Sequence, residues 1–237
     1  RASDDYVEST FDRFADSFDA KLGKLAYRAP ELIAEAVACA CAFPEKRFIA
    51  LDAGCGTGLC GPLIARHVHR LIGVDLSSGM LAKARGRNAY DELIKFELGA
   101  YLLTQPDAFN LIVSADTLVY FGSLEEVLGA AHGALQDEGL LIFTVEAAGD
   151  ETADKAIDDA ADKTVDIGYR INPHGRYSHS GAYLHQVLSA VGFSVVSMEP
   201  AVLRMEGGNP VAGWVVTGRK ANNSAIEDDK SLTAVQQ

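Results

Sequence analysis

"FIALDAGCGTGLCGP", Phe48–Pro62, begins as an apolar run, meets Asp52, and then sets Gly54, Gly56 and Gly58 at alternate positions before Gly61 and Pro62. An apolar stretch broken by glycines reads as a strand that turns into a helix. Two frames overlap in the turn. Gly56 to Gly61 satisfies the G-x-G-x-x-G template of a dinucleotide site, with Asp75 about 20 residues on as a ribose partner. Asp52 to Gly58 instead places a carboxylate at the strand end, followed by three alternating glycines. A carboxylate there is unwelcome to a pyrophosphate and suits a cationic ligand with an amino group, which glycines allow the backbone to approach.

The pattern repeats outward from this stretch. "HRLIGVDLS" (69–77), "LIKFEL" (93–98), "FNLIVSAD" (109–116) and "GLLIFTVE" (139–146) read as further strands. Helical segments lie between them: one from Gly61, one capped by Ser77 or Ser78, and one capped by Ser123. Apolar strands alternating with helices predict a parallel sheet covered on both faces. "FSVVSMEPAVLRM", a Gly-Gly-Asn-Pro turn and "AGWVVTGRK" close it as an antiparallel hairpin. The expected fold is α/β: a Rossmann-like, seven-stranded, mostly parallel sheet with helices on both faces and a C-terminal antiparallel hairpin. Ligands of such sheets sit beyond the carboxyl ends of the strands. That rim collects Asp52–Gly58, Asp75, Glu97–Ala100 and Ser114–Asp116.

In "YVESTFDRFADSFDAKL" (6–22), Tyr6, Val7, Thr10, Phe11, Phe14 and Phe18 recur at helical spacing and form one aromatic face. A second helix starts at Pro30. Residues 1–47 are expected to form a helical lid and 48–220 the core, with a substrate-side insertion at about 147–180. Within that insertion an acidic helix (149–163) precedes a polar aromatic loop, "IGYRINPHGRYSHS" (167–180). Residues 221–237 lack a core-facing pattern and read as a disordered tail.

The 237 residues carry 21 basic against 33 acidic side chains, a formal charge of −12. That balance repels phosphate backbones and anionic bilayers, so neither nucleic acid nor membrane is an expected partner. No apolar stretch approaches the ~20 residues of a membrane span, and the reading is a cytoplasmic protein. Cys39, Cys41, Cys55 and Cys60 have no zinc-ligand spacing and read as reduced thiols. Asp116 alone does not make a metal site, and none is expected. The chain begins at Arg1, which points to a piece of a longer protein.

"LDAGCGTG" followed by "LIGVDLSSGML" resembles the class I S-adenosylmethionine-dependent methyltransferases. The resemblance implies that Gly54, Gly56 and Gly58 contact the methionine portion and ribose of S-adenosylmethionine, with Asp52 beside them. It implies that Asp75 accepts from the ribose hydroxyls and that Leu76 and Met80 border the adenine. The adenine amino contact falls to Glu97 or to the backbone at Gly99 and Ala100. Ser114 and Tyr27 join the methionine side. Asp116 and Tyr120 follow the fourth strand at the substrate position. The flanking "FDRFADSFD" and "GRYSHS" segments resemble bacterial methyltransferase domains that follow tetratricopeptide repeats, which would then lie upstream.

Methyl transfer is an in-line displacement that needs alignment and exclusion of water, and a base only for a weakly acidic nucleophile. The loop supplies His174, His179 and Tyr177 as acid–base candidates, and Tyr169, Arg170 and Arg176 as substrate contacts. The leading expectation is methylation of a small or medium-sized molecule at oxygen or nitrogen. A non-catalytic S-adenosylmethionine-binding partner or assembly factor is the alternative, and a nicotinamide-dependent oxidoreductase is a third reading.

Overall fold

The computed structural model describes residues 3–40, 48–148 and 168–222. Five strands, β1 (Phe48–Ala53), β2 (Val68–Asp75), β3 (Glu92–Lys95), β4 (Phe109–Ser114) and β5 (Leu135–Ala147), lie parallel in the order β3-β2-β1-β4-β5. Strand order reverses between β1 and β4, so their carboxyl ends open onto one crevice. That crevice receives the glycine turn from β1 and the Ala115–Tyr120 segment from β4.

Successive residues of each strand serve opposite layers. Ala50, Leu111, Val113 and Ile142 pack with Ile33 and Val37 of α3 (Ala29–Ala40) and Cys60 and Ile64 of α4 (Cys60–Ile64). Leu51, Ile112, Leu141 and Phe143 pack with α6 (Leu98–Leu103), α7 (Glu125–Ala134) and α8 (Gly181–Ala190), through side chains such as Leu102, Leu128 and Leu184. The remaining crossover helix, α5 (Ser78–Arg85), is capped by Ser77, whose Oγ accepts from the Met80 amide at 3.1 Å. Ser123 does not cap α7. Its hydroxyl donates to the Glu125 carboxylate, and the Leu124 amide is taken by the Tyr183 hydroxyl at 2.8 Å.

Among the described residues the sheet has nine strands rather than seven. β6 (Tyr169–Ile171) and β7 (Tyr177–His179) are short antiparallel partners inside the segment expected to be loop. β5 outruns β4, and Ser178 and His179 of β7 pair with Glu146 and Ala147 along the edge thus left open. Three-residue strands are too short to show alternation, so their formation depends on a tertiary partner. β9 (Asn209–Lys220) pairs antiparallel with the other edge of β5, and β8 (Phe193–Glu206) with β9, as the hairpin expectation has it. Glu206 opposes Asn209, which leaves Gly207-Gly208 as a two-residue turn.

The N-terminal segment is two helices, not one. α1 (Asp4–Phe14) passes through a single 3-10 turn, Ala15–Ser17, into α2 (Phe18–Lys24). The Ser17 hydroxyl donates back to the Phe14 carbonyl at 3.3 Å, a local bond that competes with regular helix. The expected acidic helix, the 41–47 connection and nearly all of the C-terminal tail lie outside the described residues. Among the described residues no helix is long and apolar enough to cross a membrane.

Candidate functional site

The turn after β1 is stitched to the neighbouring strand. The amides of Gly54 and Cys55 both donate to the Val74 carbonyl, at 2.9 and 3.0 Å. Gly54 has φ +74°, and a Cβ there would stand 2.3 Å from Thr117 side-chain atoms. Gly56, at φ +54°, has nothing within 4 Å of its would-be Cβ and lines an open cavity. Asp75, ending β2, holds this geometry. Its Oδ2 accepts from the Gly56 amide at 2.9 Å and its Oδ1 from the Ser77 amide at 2.8 Å. Burial pushes its carboxyl above the usual range, and these two backbone bonds oppose the rise.

Asp52 is 1% exposed and accepts from the Tyr90 hydroxyl at 2.6 Å. Burial raises its carboxyl to about 7, against the pull of that hydrogen bond. Two carboxylates at the turn therefore wait for positive charge. The pyrophosphate reading finds no such support, since α4 is only five residues long and the nearby Arg87 is bound to the Thr57 carbonyl and to Asp19.

The cavity, about 490 Å³, runs from Asp52, Gly56 and Asp75 past Leu76 and Met80 to Asp116 and Tyr120. That size suits a drug-sized ligand. Its roof is the N-terminal pair of helices, which contributes Phe11, Phe14 and Phe18, and Tyr27 follows them along the wall. Phe11 meets Tyr120 and Phe18 edge-on, with ring centroids 5.5 and 5.9 Å apart.

A stripe of acids fastens the roof. Glu8 pairs with Lys95 at 2.7 Å, and Asp12 Oδ1 accepts from the Ser77 hydroxyl and from the Gly79 amide at 2.9 Å. Asp16 pairs with Lys83 at 2.7 Å, and Asp19 accepts from Arg87 and from the Thr57 hydroxyl, each at 2.6 Å. Glu8 and Asp12 share one face of α1, and Asp16 in the 3-10 turn and Asp19 in α2 continue the stripe. Thr57 belongs to the glycine turn, so the roof grips the turn directly.

The far end of the cavity is an ion-pair cluster built from separate strands. Arg204 of β8 donates to Asp116 at 2.8 Å, to Glu206 at 2.7 Å and to Glu146 of β5. Arg176, in the β6–β7 turn, donates to the same Glu146 at 2.6 Å and to Glu206. His174 Nε2 stands 3.5 Å from the other Glu146 oxygen. Burial pushes the Asp116 carboxyl up, with Arg204 opposing. Arg204, Glu206 and Glu146 were not singled out from the sequence. Charges at the ends of otherwise apolar strands were the available signal, since a buried charge demands a partner.

Of the expected site residues, Asp52, Gly54, Gly56, Asp75, Leu76, Met80 and Tyr27 line the cavity, as do Asp116, Tyr120, His174 and Arg176. Others lie elsewhere. Gly58 packs against Tyr90 and Ala84, and Ser114 ties β4 to β1 by donating to the Ala53 carbonyl at 2.9 Å. The amides of Gly99 and Ala100 are taken by Glu97, at 3.0 and 2.7 Å, because Glu97 caps α6; Glu97 itself reaches the cavity. His179 is fully buried, with Nε2 against the Gly122 carbonyl at 2.9 Å, and burial lowers its pKa. Tyr169 and Tyr177 pack on Gly122 and on each other, and Arg170 is exposed beside them on β6. Their short strands turn these side chains away from the cavity and leave the turn, with His174 and Arg176, facing it. Among the described residues no three His, Cys, Asp or Glu side chains group to hold a metal ion.

Residues 51–143 match the family model described as a methyltransferase domain. Human methyltransferase-like protein 27 is 33% identical over 117 residues, which span 49% of this chain and 46% of that protein. The 18S rRNA (guanine-N(7))-methyltransferase of Bos taurus is 32% identical over 91 residues, or 38% of this chain and 30% of that protein. The chain thus spans less than half the length of these curated relatives. Among solved structures, the 1,6-didemethyltoxoflavin-N1-methyltransferase of Burkholderia thailandensis, crystallised with S-adenosylhomocysteine and 1,6-didemethyltoxoflavin, superposes with a TM-score of 0.64. Identity there is 18%, over 94% of this chain and 92% of that one, a likeness of fold. The acid-and-glycine turn, at the point where strand order reverses, falls inside the stretch that matches the methyltransferase domain.

Proposed function

We infer that this protein transfers a methyl group from S-adenosylmethionine to oxygen or nitrogen of a small or medium-sized acceptor. One observation carries the reading: a single roofed cavity joins the acid-and-glycine turn to a second, chemically distinct polar end. The residues fit the cofactor. Gly56 leaves open the space a Cβ would fill, and the carboxylates of Asp52 and Asp75 complement its cationic groups. When bound, S-adenosylmethionine supplies an electrophilic methyl group.

The chain's own residues do the rest. Asp75, fixed by two backbone amides, accepts from ribose hydroxyls, and Leu76 and Met80 border the adenine. Asp52 holds the amino group. Phe11, Phe18 and Tyr27 exclude water, and aromatic faces near a sulfonium add cation–π attraction. Asp116 and Tyr120 bound the acceptor's place. His174, backed by Glu146, is the acid–base candidate at the cavity wall. A formal charge of −12 and the acidic roof stripe favour a small acceptor over RNA.

Incubation with S-adenosylmethionine and a panel of small amines, phenols and acids, with release of S-adenosylhomocysteine as readout, tests the proposal. Release with at least one acceptor supports it. Binding without release across the panel would instead favour the non-catalytic reading, which gains from His179 and Tyr177 lying outside the cavity.

A further inference from the structure

Asp116 and Glu206 line the polar end of the cavity with Arg176 and Arg204, and Glu146 lies buried behind them; three carboxylates face two guanidinium groups, one negative charge in excess before the His174 imidazole, 3.5 Å from Glu146, is counted. Every nitrogen of Arg204 is committed, Nε to Glu206, Nη1 to Asp116 and Nη2 to Glu146. Arg204 and Glu146 have side chains only 4% and 5% exposed, so neither can trade its partner for water at low cost. Arg176 divides itself between Glu146 and Glu206. An anionic ligand would have to break one of these pairs and add a second uncompensated negative charge.

A hydrogen-bond donor meets the opposite situation. Asp116 Oδ1 takes only a 3.3 Å bond from the Thr144 hydroxyl, while Arg204 holds Oδ2. Both guanidinium bonds to Glu206 end on Oε1, which leaves Oε2 as an acceptor. The neighbouring wall is aromatic, with Phe11 edge-on to Tyr120. We propose that this end of the cavity takes a small molecule with an amine or hydroxyl donor on an aromatic or apolar body and rejects carboxylates. Asp116 and Glu206 receive the donor, the Phe11–Tyr120 wall packs on the body, and Arg204 is the positioning residue that sets the selectivity by engaging all three acids. As a statement about the methyl acceptor it rests on the methyl-transfer reading. The selectivity itself belongs to the cavity.

The test uses three probes that share one phenyl-ethyl body: phenethylamine, 2-phenylethanol and 3-phenylpropionate. Each is titrated calorimetrically into the full chain near neutral pH, with and without S-adenosylhomocysteine. The amine and the alcohol should bind about tenfold or more tighter than the carboxylate, because like charges placed together oppose binding strongly. Glu206→Gln removes the excess charge at a part-exposed position, with folding checked by its Tm, and should cut the amine-over-carboxylate ratio about fivefold. A carboxylate that binds equally or better, a ratio unmoved by Glu206→Gln, or no binding by any of the three overturns the proposal. If S-adenosylhomocysteine fails to bind while the ratio holds, the cofactor reading falls and the selectivity stands. If S-adenosylhomocysteine binds and no selectivity follows, the reverse holds.

Discussion

The acidic stripe of α1 and α2 makes roof closure sensitive to charge, and the double variant Asp12→Ala/Asp19→Ala tests this most sharply. Asp12 loses two bonds, from the Ser77 hydroxyl and the Gly79 amide. Asp19 loses Arg87 and the Thr57 hydroxyl. Charge-assisted bonds reach about 1.5–3 kcal/mol when sheltered, but both acids are solvent-exposed and about 1 kcal/mol for each residue is the appropriate scale. A total of about 2 kcal/mol raises the open population about 30-fold. Limited trypsinolysis reads that population, since Arg13, Lys21 and Lys24 lie within the roof and cleavage follows the open fraction when closing is fast. The variant should be cut in this segment roughly 10–30 times faster than the parent, and saturating S-adenosylmethionine should slow cleavage of both. Raising salt from about 0.05 to about 0.5 M should accelerate the parent and barely affect the variant, because screening removes what the substitutions already removed. Equal cleavage of parent and variant, or no protection by the cofactor, would refute the reasoning.

The two glycines of the turn should separate stability from binding. Gly54→Ala drives a Cβ to 2.3 Å from Thr117 and should lower the Tm markedly, whereas Gly56→Ala meets no atom within 4 Å and should cost about 1–2 kcal/mol of backbone strain while lowering cofactor affinity more than tenfold. Differential scanning calorimetry and titration calorimetry on the same samples check this, and a Gly56→Ala protein with unchanged affinity would remove that residue from the site. Asp52 should make the ligand-free protein less stable as pH rises. Its folded value of about 7 exceeds the ordinary carboxyl value of 3.8, so the protonated form favours the fold below about 4 and that contribution fades as pH climbs through 7, by at most about 4 kcal/mol. Asp52→Asn should flatten the dependence of Tm between about pH 5 and 8, and a parent Tm that rises over that window would contradict the assignment. Cofactor affinity should run the other way in the parent, rising with pH as Asp52 ionises to meet a cation.

The parallel sheet, its hairpin and the convergence of Asp52, the glycine turn and Asp75 on one cavity were legible because their signals are local. Asp52 and the glycines lie within seven residues, and Asp75 ends the next strand, so order along the chain fixes proximity. The aromatic face of the roof was readable for the same reason. The acidic face of the same helices was equally periodic, at positions 8, 12, 16 and 19, but its meaning depended on Lys83, Arg87 and Lys95 arriving from elsewhere. The polar end of the cavity was hardest to read. Arg204 and Asp116 are 88 residues apart, and only the pairing of β8 with β9 and of β9 with β5 brings them together. His179 and Tyr177 misled because a polar aromatic loop gives no sign of which side chains a short strand will turn inward. Once β7 pairs with the end of β5, His179 is buried against Gly122 and His174 remains at the cavity wall.

Calorimetric titration of S-adenosylmethionine and, separately, of NAD into the parent and Asp75→Ala proteins tests the central claim most directly. Asp75 is the half-buried carboxylate that fixes the turn through Gly56 and Ser77, and each charge-assisted bond it would accept from the cofactor is worth roughly 1.5–3 kcal/mol. The account predicts binding of S-adenosylmethionine to the parent, no measurable binding of NAD, and a loss of at least about tenfold in S-adenosylmethionine affinity for Asp75→Ala. NAD binding in preference to S-adenosylmethionine, or unchanged S-adenosylmethionine affinity in a folded Asp75→Ala protein, would contradict it.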